Sequence, residues 1–355
     1  MSASVSPSSL RVEEAAIDRE RTLLVDALHR FLTPHLTTEQ NEALFAWRYR
    51  EGPDGAPRVW TAREPGGDLI GVATAFPRRL RIGGEEEKGW VLGDFCIHPD
   101  HRSLGPAVRL QRAFLDEARA GRLLFWYDFP NPGMVAVYRR LGFEPTRMFV
   151  RFARPLRLDA ALRPLVRSPR LASFLAAPAN WILDASTLSA GRHGFDFAIH
   201  SGPCGSEFTE LSRHAVAGIG LATDRTAGYL DWRYLGHPLQ RHEIVTARHG
   251  GSLAGYAVFQ IAEACANVVD LVGESGSAVV PELLTALLRM LRASGAITVS
   301  FPLLSNHPWI AMLRRLGFRP RESTPVLMGG SANSLGLAHL GRGGSWHLVD
   351  GDRDL

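Results

Sequence analysis

The chain contains almost no lysine. Lys88 is the single lysine in 355 residues, so the basic side chains are nearly all arginine, and the formal net charge is only +4. So small an excess of positive charge gives little support for binding to nucleic acid. An aminoacyl-tRNA-dependent transferase would also need a basic RNA-binding face. We therefore expect no nucleic-acid partner.

Cysteine and long apolar segments are also scarce. The three cysteines are scattered and too few for a disulfide framework, which favours a reducing compartment. The N-terminal region is acidic and lacks the basic start and apolar core of a signal peptide. The longest apolar stretch, Leu171 to Leu183, is interrupted by a proline and falls short of the roughly 20 residues that a membrane-spanning helix needs. We expect a cytoplasmic protein.

The sequence does contain a long repeat. The pattern N-P-G-M-V-A-V-Y-R-R-L-G-F begins at Asn131, and the related pattern N-H-P-W-I-A-M-L-R-R-L-G-F begins at Asn306. F-A-W-R-Y from Phe45 likewise returns as L-D-W-R-Y from Leu230. A period this long indicates two tandem globular domains, and the chain is long enough for two cores of roughly 150 residues each.

Both copies predict the same order of helices and strands. In the first copy, helical periodicity covers residues 13–33, and alternating patterns then predict strands and helices as far as 143. The second copy repeats this order from a helix near 204–217. The pattern indicates an α+β protein with domains at 1–155 and 195–330, a linker at 156–194 and a glycine-rich tail at 331–355.

A turn between a strand and a helix carries the clearest binding signal. Residues Ile97 to Ala107 contain R-x-x-G-x-A, with Gly105 expected where the backbone turns tightly into the helix. Such a turn directs backbone N–H groups and the helix dipole at one point, and Arg102 adds a fixed positive charge. Pro106, expected at the first helical position, has no N–H to donate. The turn suits a pyrophosphate; the alternative is a turn that binds nothing.

Two motifs in this order resemble the GNAT superfamily of acyl-CoA-dependent N-acyltransferases. They are the stretch from Asp94 to Ala107 and the later N-x-x-x-x-x-x-Y-x-x-L-G-F from Asn131, which contains Tyr138. The resemblance implies two tandem GNAT-like domains, each with a mixed, mostly antiparallel sheet flanked by helices. It also implies acetyl-CoA or another acyl-CoA as cosubstrate, with the pantetheine arm in a V-shaped opening between the fourth and fifth strands. The cofactor contacts that it implies are Ile97, Arg102, Ser103, Leu104, Gly105, Ala107 and Asn131.

Acyl transfer to an amine needs a base for the amine and an acid for the leaving thiolate. The resemblance assigns the acid to Tyr138; the alternative is a tyrosine that only packs. Asp94 is the best-placed carboxylate for the base, with Glu85–Glu87 before its strand. A structural aspartate, with deprotonation through water, is the competing interpretation.

Two further groups of residues are weaker candidates. His98 and His101 flank the turn and could contact phosphate or substrate, and together with Cys96 they have the residue types of a metal site. Pro99 and the turn geometry argue against a closed site, so we expect no metal.

The linker combines basic and apolar residues. Several arginines between Arg151 and Arg170 precede the apolar stretch 171–183, a combination that also suits an anionic membrane surface. We prefer a packed linker decorated with arginine, because arginine stems cover apolar surface well.

The second copy lacks the functional residues of the first. When the two L-G-F motifs are aligned without gaps, Arg102 falls on Ser277, Gly105 on Val280 and Tyr138 on Leu313. We predict that this copy keeps the fold without the cofactor; the alternative is a shifted anion turn at Gly273–Gly276. In tandem members of the superfamily the cofactor-free half helps to shape the acceptor site. By analogy Trp232, Arg233 and Tyr234 could face that site, and burial in their own domain is the alternative.

The sequence therefore predicts an N-acyltransferase, with acetyl-CoA as the expected donor and a primary amine of a small molecule or sugar as acceptor. The first domain is expected to be active and the second to shape the acceptor site. The alternative is a non-enzymatic GNAT-like protein. It would be either a sensor that uses the acyl-CoA pocket or a scaffold that binds no CoA.

Overall fold

The computed structural model describes residues 10–157, 194–215, 219–331 and 346–353. The first half begins with a short strand, so the helical pattern predicted from residue 13 is wrong at its start; the helix begins at Arg21, because 11–14 pair with the next strand. The elements of the first half are β1 (Arg11–Glu14), α1 (Arg21–Phe31), α2 (Thr38–Tyr49), β2 (Arg58–Arg63), β3 (Leu69–Ile82), β4 (Glu85–Ile97), α3 (Leu104–Arg119), β5 (Phe125–Asp128), α4 (Pro132–Arg140) and β6 (Arg147–Pro155).

The second half repeats the succession of three strands, a helix, a strand and a helix. The sequence pattern missed its short strands and the long strand that follows the second L-G-F. The elements are β7 (Asp196–Ile199), α5 (Ser206–Ala215), β8 (Leu221–Thr223), α6 (Ala227–Leu230), β9 (Glu243–His249), β10 (Ser252–Ala262), β11 (Cys265–Gly273), α7 (Val279–Ala293), β12 (Thr298–Leu304), α8 (Ile310–Arg315), β13 (Arg319–Gly330) and β14 (Trp346–His347).

Local signals explain where the functional helices begin. The Thr37 hydroxyl accepts a hydrogen bond from the Gln40 N–H at 3.3 Å, and the Gln40 side chain accepts one from the Thr37 N–H at 2.9 Å, so a capping box starts α2. Asn131 caps α4 by accepting from the Met134 N–H at 3.0 Å, with a proline as the first helical residue. These caps fix the helices that carry the W-R-Y motif and Tyr138.

The sequence predicts a mixed, mostly antiparallel sheet in each half; the structure has this character, but joins both halves in one sheet. Its strand order is β1-β2-β3-β4-β5-β13-β6-β12-β11-β10-β9-β7. The halves exchange their last strands, because β13 from the second half pairs with β5, and β6 from the first half pairs with β12. The two halves therefore share a continuous sheet, and neither completes its own sheet alone.

Each half contains one parallel strand pair that separates part-way along. In the first half β4 pairs with β5 up to Val91↔Tyr127, although β4 continues to Ile97. In the second half β11 pairs with β12 up to Asn267↔Ser300, although β11 continues to Gly273. Strands that stop pairing leave a V-shaped opening between them, so the fold contains two such openings.

The second opening is filled by the last described segment of the chain, residues 346–353. We expected a tail here, but 346–352 are buried: Val349 bridges to Leu303 on β12, and the Asn267 side chain on β11 donates to Asp350 at 2.7 Å. β14 also pairs with β8, and β8 pairs with β3 of the first half. The segment thus ties the second opening to the first half.

Two tryptophans at equivalent repeat positions form part of the contact between the halves. The Trp47 indole N–H donates to the Trp232 carbonyl at 2.8 Å, and the Trp232 indole N–H donates to the Trp47 carbonyl at 2.9 Å. Their rings stack with centroids 5.0 Å apart. The repeated W-R-Y motif thus makes a contact with approximate two-fold symmetry between the copies.

A buried histidine pair predicts that acid destabilises the fold. His307 and His347 are 4% and 2% exposed, and Nε2 of one lies 3.1 Å from Nδ1 of the other. Burial lowers the pKa of His347 to about 3 and that of His307 well below its ordinary 6.5. The unfolded chain binds these protons below about pH 6.5 and the folded chain does not, so stability is complete above that pH and is lost as the pH falls towards 3.

We expect each of these histidines to remove about 2 kcal/mol of unfolding free energy between pH 6.5 and pH 5, measured by chemical denaturation. His347→Gln should reduce that slope by about half, because His307 remains, whereas His35→Gln at an exposed site should leave it unchanged. Equal slopes for wild type and His347→Gln would show that His347 takes up its proton in the folded state.

Candidate active site

The opening between β4 and β5 holds a cavity of about 280 Å³. Its walls come from β4 beyond the last paired residue, from the end of β5 with the loop that follows, and from helices α2 and α3. Apolar and aromatic side chains alternate with a few polar ones. The lining includes Trp60, Leu92, Asp94, Phe95, Gln111, Phe114, Asp128, Phe129, Asn131, Met134, Arg48 and Arg353.

A second cavity of about 320 Å³ lies over the strand-to-helix turn. It shares Phe95, Asn131 and Met134 with the first cavity, so one continuous surface leads from the turn into the opening between the strands. Six of the seven predicted cofactor contacts line this second cavity. They are Ile97, Arg102, Ser103, Leu104, Ala107 and Asn131.

Gly105 and Pro106 differ from their expected geometry. Gly105 lies in the first turn of α3 and is not among the residues with positive φ, so a tight left-handed turn does not explain it. Pro106 is the third residue of α3 and not the first. The N–H groups of Leu104 and Gly105 are in the first turn and have no acceptor within the helix. The turn thus keeps two backbone donors and the positive end of the helix dipole beside Arg102.

Asp94 is held by two partners at a bulge in β4. Its Oδ1 accepts from Arg48 at 2.5 Å and its Oδ2 accepts from the Tyr49 hydroxyl at 2.7 Å, while its backbone has φ of 44°. Burial, followed by the negative charge of Asp94, raises the pKa of Tyr49 well above its ordinary value of about 10. Both carboxylate oxygens therefore have strong donors, an arrangement typical of a structural carboxylate.

The second half contains the same arrangement without the turn. The Tyr234 hydroxyl donates to Asp270 at 2.8 Å, as the equivalent Tyr49 does to Asp94. Each half therefore contains a tyrosine–aspartate pair of this kind, whether or not it has the turn. Glu85–Glu87 lie at the other end of β4, next to the hairpin with β3.

Tyr138 is fully buried and lies behind the wall of the first cavity. Its hydroxyl donates to Asp128 Oδ2 at 2.5 Å and accepts from the Gln111 amide at 3.1 Å. Burial, then the charge of Asp128, raises the pKa of Tyr138 well above about 10, so the hydroxyl keeps its proton near neutral pH. Asp128 and Gln111 line the cavity and Tyr138 does not.

The whole network is apolar in the second copy. In the same gapless alignment of the copies, Asp128 corresponds to Leu303, Tyr138 to Leu313 and Gln111 to Ala286, and all three replacements are buried. Of these three positions, only Tyr138 stood out in the sequence. The same comparison, applied along α3 and β5, would have found the other two, because α3 and α7 begin at equivalent positions.

Arg353 reaches the first cavity from the segment that fills the second opening. Its guanidinium carbon lies 5.6 Å from the Phe129 ring and 5.8 Å from the Phe149 ring, and its NH1 donates to Asp350 at 3.2 Å. Arg233 donates to the Arg353 carbonyl at 2.8 Å. A residue placed in this way has no local sequence signal, because its position depends on the path of the whole chain.

Three residues of the second half could, by analogy, face the acceptor site: Trp232, Arg233 and Tyr234. The structure places them in two environments. Arg233 and Tyr234 are buried at 5% and 2% exposure, and Trp232 packs on Trp47. None of the three lines the 280 Å³ cavity. The Arg233 side chain does donate to the carbonyl of Arg353, which lines that cavity.

The turn after β11 has lost the features of the first turn. Residues 274–278 join β11 to α7, with Ser277 at the position of Arg102, and its hydroxyl bonds back to the Glu274 carbonyl at 2.9 Å. The side chains of Val279 and Val280 pack tightly against Gly273, where an added Cβ would lie 2.8 and 2.7 Å from them. Apolar packing and the segment 349–352 occupy the space that is a cavity in the first half.

The histidines beside the first turn have local partners. His98 accepts from the Asp100 N–H at 3.2 Å and packs on Phe31, and His101 lies 3.4 Å from Glu64. Within the described ranges no three histidine, cysteine or acidic side chains come together as metal ligands would.

The basic linker falls mostly outside the described residues, including Arg163, Arg167, Arg170 and 171–183. Two of its neighbours belong to β6: Arg151 pairs with Glu322, and Arg154 is buried and donates to the Leu316 carbonyl at 2.5 Å. Among the helices that the structure describes, none combines the length and the apolar character needed to cross a membrane.

Comparisons with known proteins agree with this geometry. Residues 11–146 match the family model described as an acetyltransferase (GNAT) domain. The chain is 28% identical over 113 residues to a mycothiol acetyltransferase of Saccharopolyspora erythraea; the match covers 29% of this chain and 36% of that protein. The chain thus spans little more than a third of this curated relative.

Two solved structures share the fold along nearly the whole chain. A probable N-acyltransferase of Enterococcus faecalis superposes with a TM-score of 0.65 at 13% identity, covering 93% of this chain and 74% of that one. A tandem GNAT protein from the clavulanic acid biosynthesis pathway has a TM-score of 0.55 at 17% identity, covering 90% and 98%. Residues 11–146 therefore resemble an acetyltransferase (GNAT) domain, and the chain as a whole shares its fold with these two structures.

Proposed function

We propose that the protein transfers an acetyl group from acetyl-CoA to a primary amine of a small molecule, using the first half alone for chemistry. The observation that carries this proposal is the continuous surface from the Arg102 turn to Asp128 in the opening between β4 and β5. The GNAT domain match over residues 11–146 and the mycothiol acetyltransferase relative support an acetyl donor.

The residues of the turn would hold the cosubstrate by charge and backbone donors. Arg102 and the N–H groups of Leu104 and Gly105 suit the pyrophosphate. Phe95, Asn131 and Met134, which belong to both cavities, would line the path of the pantetheine arm towards the thioester. The remaining volume is small and partly aromatic, which favours a short acyl group.

Asp128 is the carboxylate that we assign to proton transfer. The amine nitrogen attacks the thioester carbon, the C–N bond forms and the C–S bond breaks, and the nitrogen loses a proton that the thiolate must gain. Asp128 lines the cavity and can accept this proton, whereas Asp94 has both oxygens bound to Arg48 and Tyr49. The alternative prediction, that Asp94 is the base, is tested below by comparing Asp128→Asn with Asp94→Asn.

The family resemblance implies Tyr138 as the source of the proton for the thiolate; because its hydroxyl does not line the cavity, that proton would reach the thiolate by way of Asp128. Its protonated hydroxyl contacts Asp128, so a proton can pass between the two groups without crossing bulk water. The second half contributes by closing its own opening and by holding Arg353 at the cavity.

Charge reversal at the turn tests cosubstrate binding. We expect wild-type protein to bind one equivalent of acetyl-CoA in isothermal titration calorimetry, and Arg102→Glu to weaken binding by about 100-fold, because a carboxylate would face the pyrophosphate. Ser277→Glu, at the equivalent position of the second half, is the matched control and should bind normally. No heat of binding with wild type, or two equivalents per chain, would contradict the proposal.

Substitution of the buried network tests the chemistry. We expect Asp128→Asn and Tyr138→Phe each to lower kcat by about 100-fold or more with acetyl-CoA affinity unchanged, because proton transfer is lost and binding is not. Tyr127→Phe is a matched control: it also removes a buried hydroxyl, whose hydrogen bond goes to the Asp352 carbonyl. The activity of each variant should be measured as the release of the CoA thiol in the presence of an amine acceptor. Full activity of Asp128→Asn together with inactive Asp94→Asn would return the base to Asp94.

A further inference from the structure

The charged side chains of the first cavity come from distant parts of the chain. Arg48 and Asp94 bind each other at 2.5 Å, with side chains 11% and 8% exposed, so this pair is neutral as a unit. The other two charged lining residues are Asp128, at the end of β5, and Arg353, from the segment in the second opening. They have opposite signs, and both line the cavity.

Phe129 connects these two residues. It follows Asp128 directly in the chain, and the Arg353 guanidinium lies over its ring with the carbon 5.6 Å from the centroid. The Phe149 ring lies 5.8 Å from the same carbon, so two aromatic rings hold the guanidinium from the first half. Asp128 and Arg353 therefore line one cavity and carry opposite charges, as the recognition of a small zwitterion requires.

The backbone of Arg353 is fixed from the second half. Arg233 donates to its carbonyl at 2.8 Å, and Asp350, which accepts from its NH1, is itself held by Asn267 at 2.7 Å. One guanidinium nitrogen is thus engaged by Asp350, while the side chain remains 28% exposed at the cavity. A positioned guanidinium with further N–H groups is suited to a carboxylate, which it can bind through two parallel hydrogen bonds.

We propose that the acceptor is an amine that also carries a carboxylate, as an amino acid does, with the carboxylate on Arg353 and the amine directed at Asp128. This inference rests on the proposed acyl transfer and adds the chemical class of its acceptor. It also assigns a function to the second half, which supplies the residue that recognises the carboxylate.

The test compares amines that differ only in the carboxylate. L-leucine with isopentylamine and L-phenylalanine with 2-phenylethylamine are titrated into the full-length protein saturated with CoA, and tryptophan fluorescence reports binding, since Trp60 lines the cavity. We expect wild type to bind at least one carboxylated member about tenfold tighter than its partner. Arg353→Gln should reduce this preference to about twofold or less. Arg151→Gln, which removes an exposed arginine paired with Glu322, should retain it.

The outcomes separate this inference from the proposed function. If wild type binds no acetyl-CoA, the acyltransferase proposal fails. If acetyl-CoA binds but neither pair shows a preference, including the case in which no amine binds, the carboxylate site is wrong and the acyltransferase proposal stands. A preference that survives in Arg353→Gln also overturns it. If Arg353→Gln unfolds, Arg353→Lys takes its place, because lysine keeps the positive charge but cannot form the two parallel hydrogen bonds. An undiminished preference in Arg353→Lys also overturns the inference.

Discussion

The arrangement of both openings depends on one buried arginine. Arg225 is fully buried, and its guanidinium donates to Asp270 on β11 at 3.1 Å and to Asp352 in the last described segment at 2.8 Å. Burial opposes a charge at this site, but the two carboxylates outweigh it and raise the pKa of Arg225 well above its ordinary value. Removing charges from water costs several kcal/mol for each ion unless partners compensate, so the three groups are stable only together. The segment 349–352 is thereby fixed to β11, and its position determines both what fills the second opening and what reaches the first.

The duplication provides an internal control for assigning roles. A feature present in both copies is expected to serve the fold that they share, as with the pairs Tyr49–Asp94 and Tyr234–Asp270. A feature found in one copy can serve chemistry, as with the network around Tyr138, whose three positions are leucine or alanine in the other copy. Losing only one member of such a network would leave buried polar groups without partners, which costs about 1–3 kcal/mol for each group. This cost explains why all three positions changed together.

The sequence predicted what is encoded locally. The repeated L-G-F motif indicated two copies, and six of the seven residues predicted to contact the cofactor line the cavity over the turn. The exchange of β6 and β13 was not predictable, because either strand fits either sheet by its own pattern and only the whole chain decides the pairing. Arg353 was missed for the same reason. The glycine-rich stretch before Trp346 resembled a tail, while the burial of 346–352 depends on partners that are distant in sequence, such as Leu303 and Arg225.

One segment both fills the second opening and contributes to the wall of the first cavity. A V-shaped opening without a ligand would expose the backbone edges of β11 and β12, and unpaired edges are costly to leave open. The segment 349–352 satisfies them through the bridge to Leu303 and the bond from Asn267. The segment continues directly into Arg353, which lines the first cavity. The packing that fills the second opening is thus also the packing that brings an arginine of the second half to the neighbouring cavity.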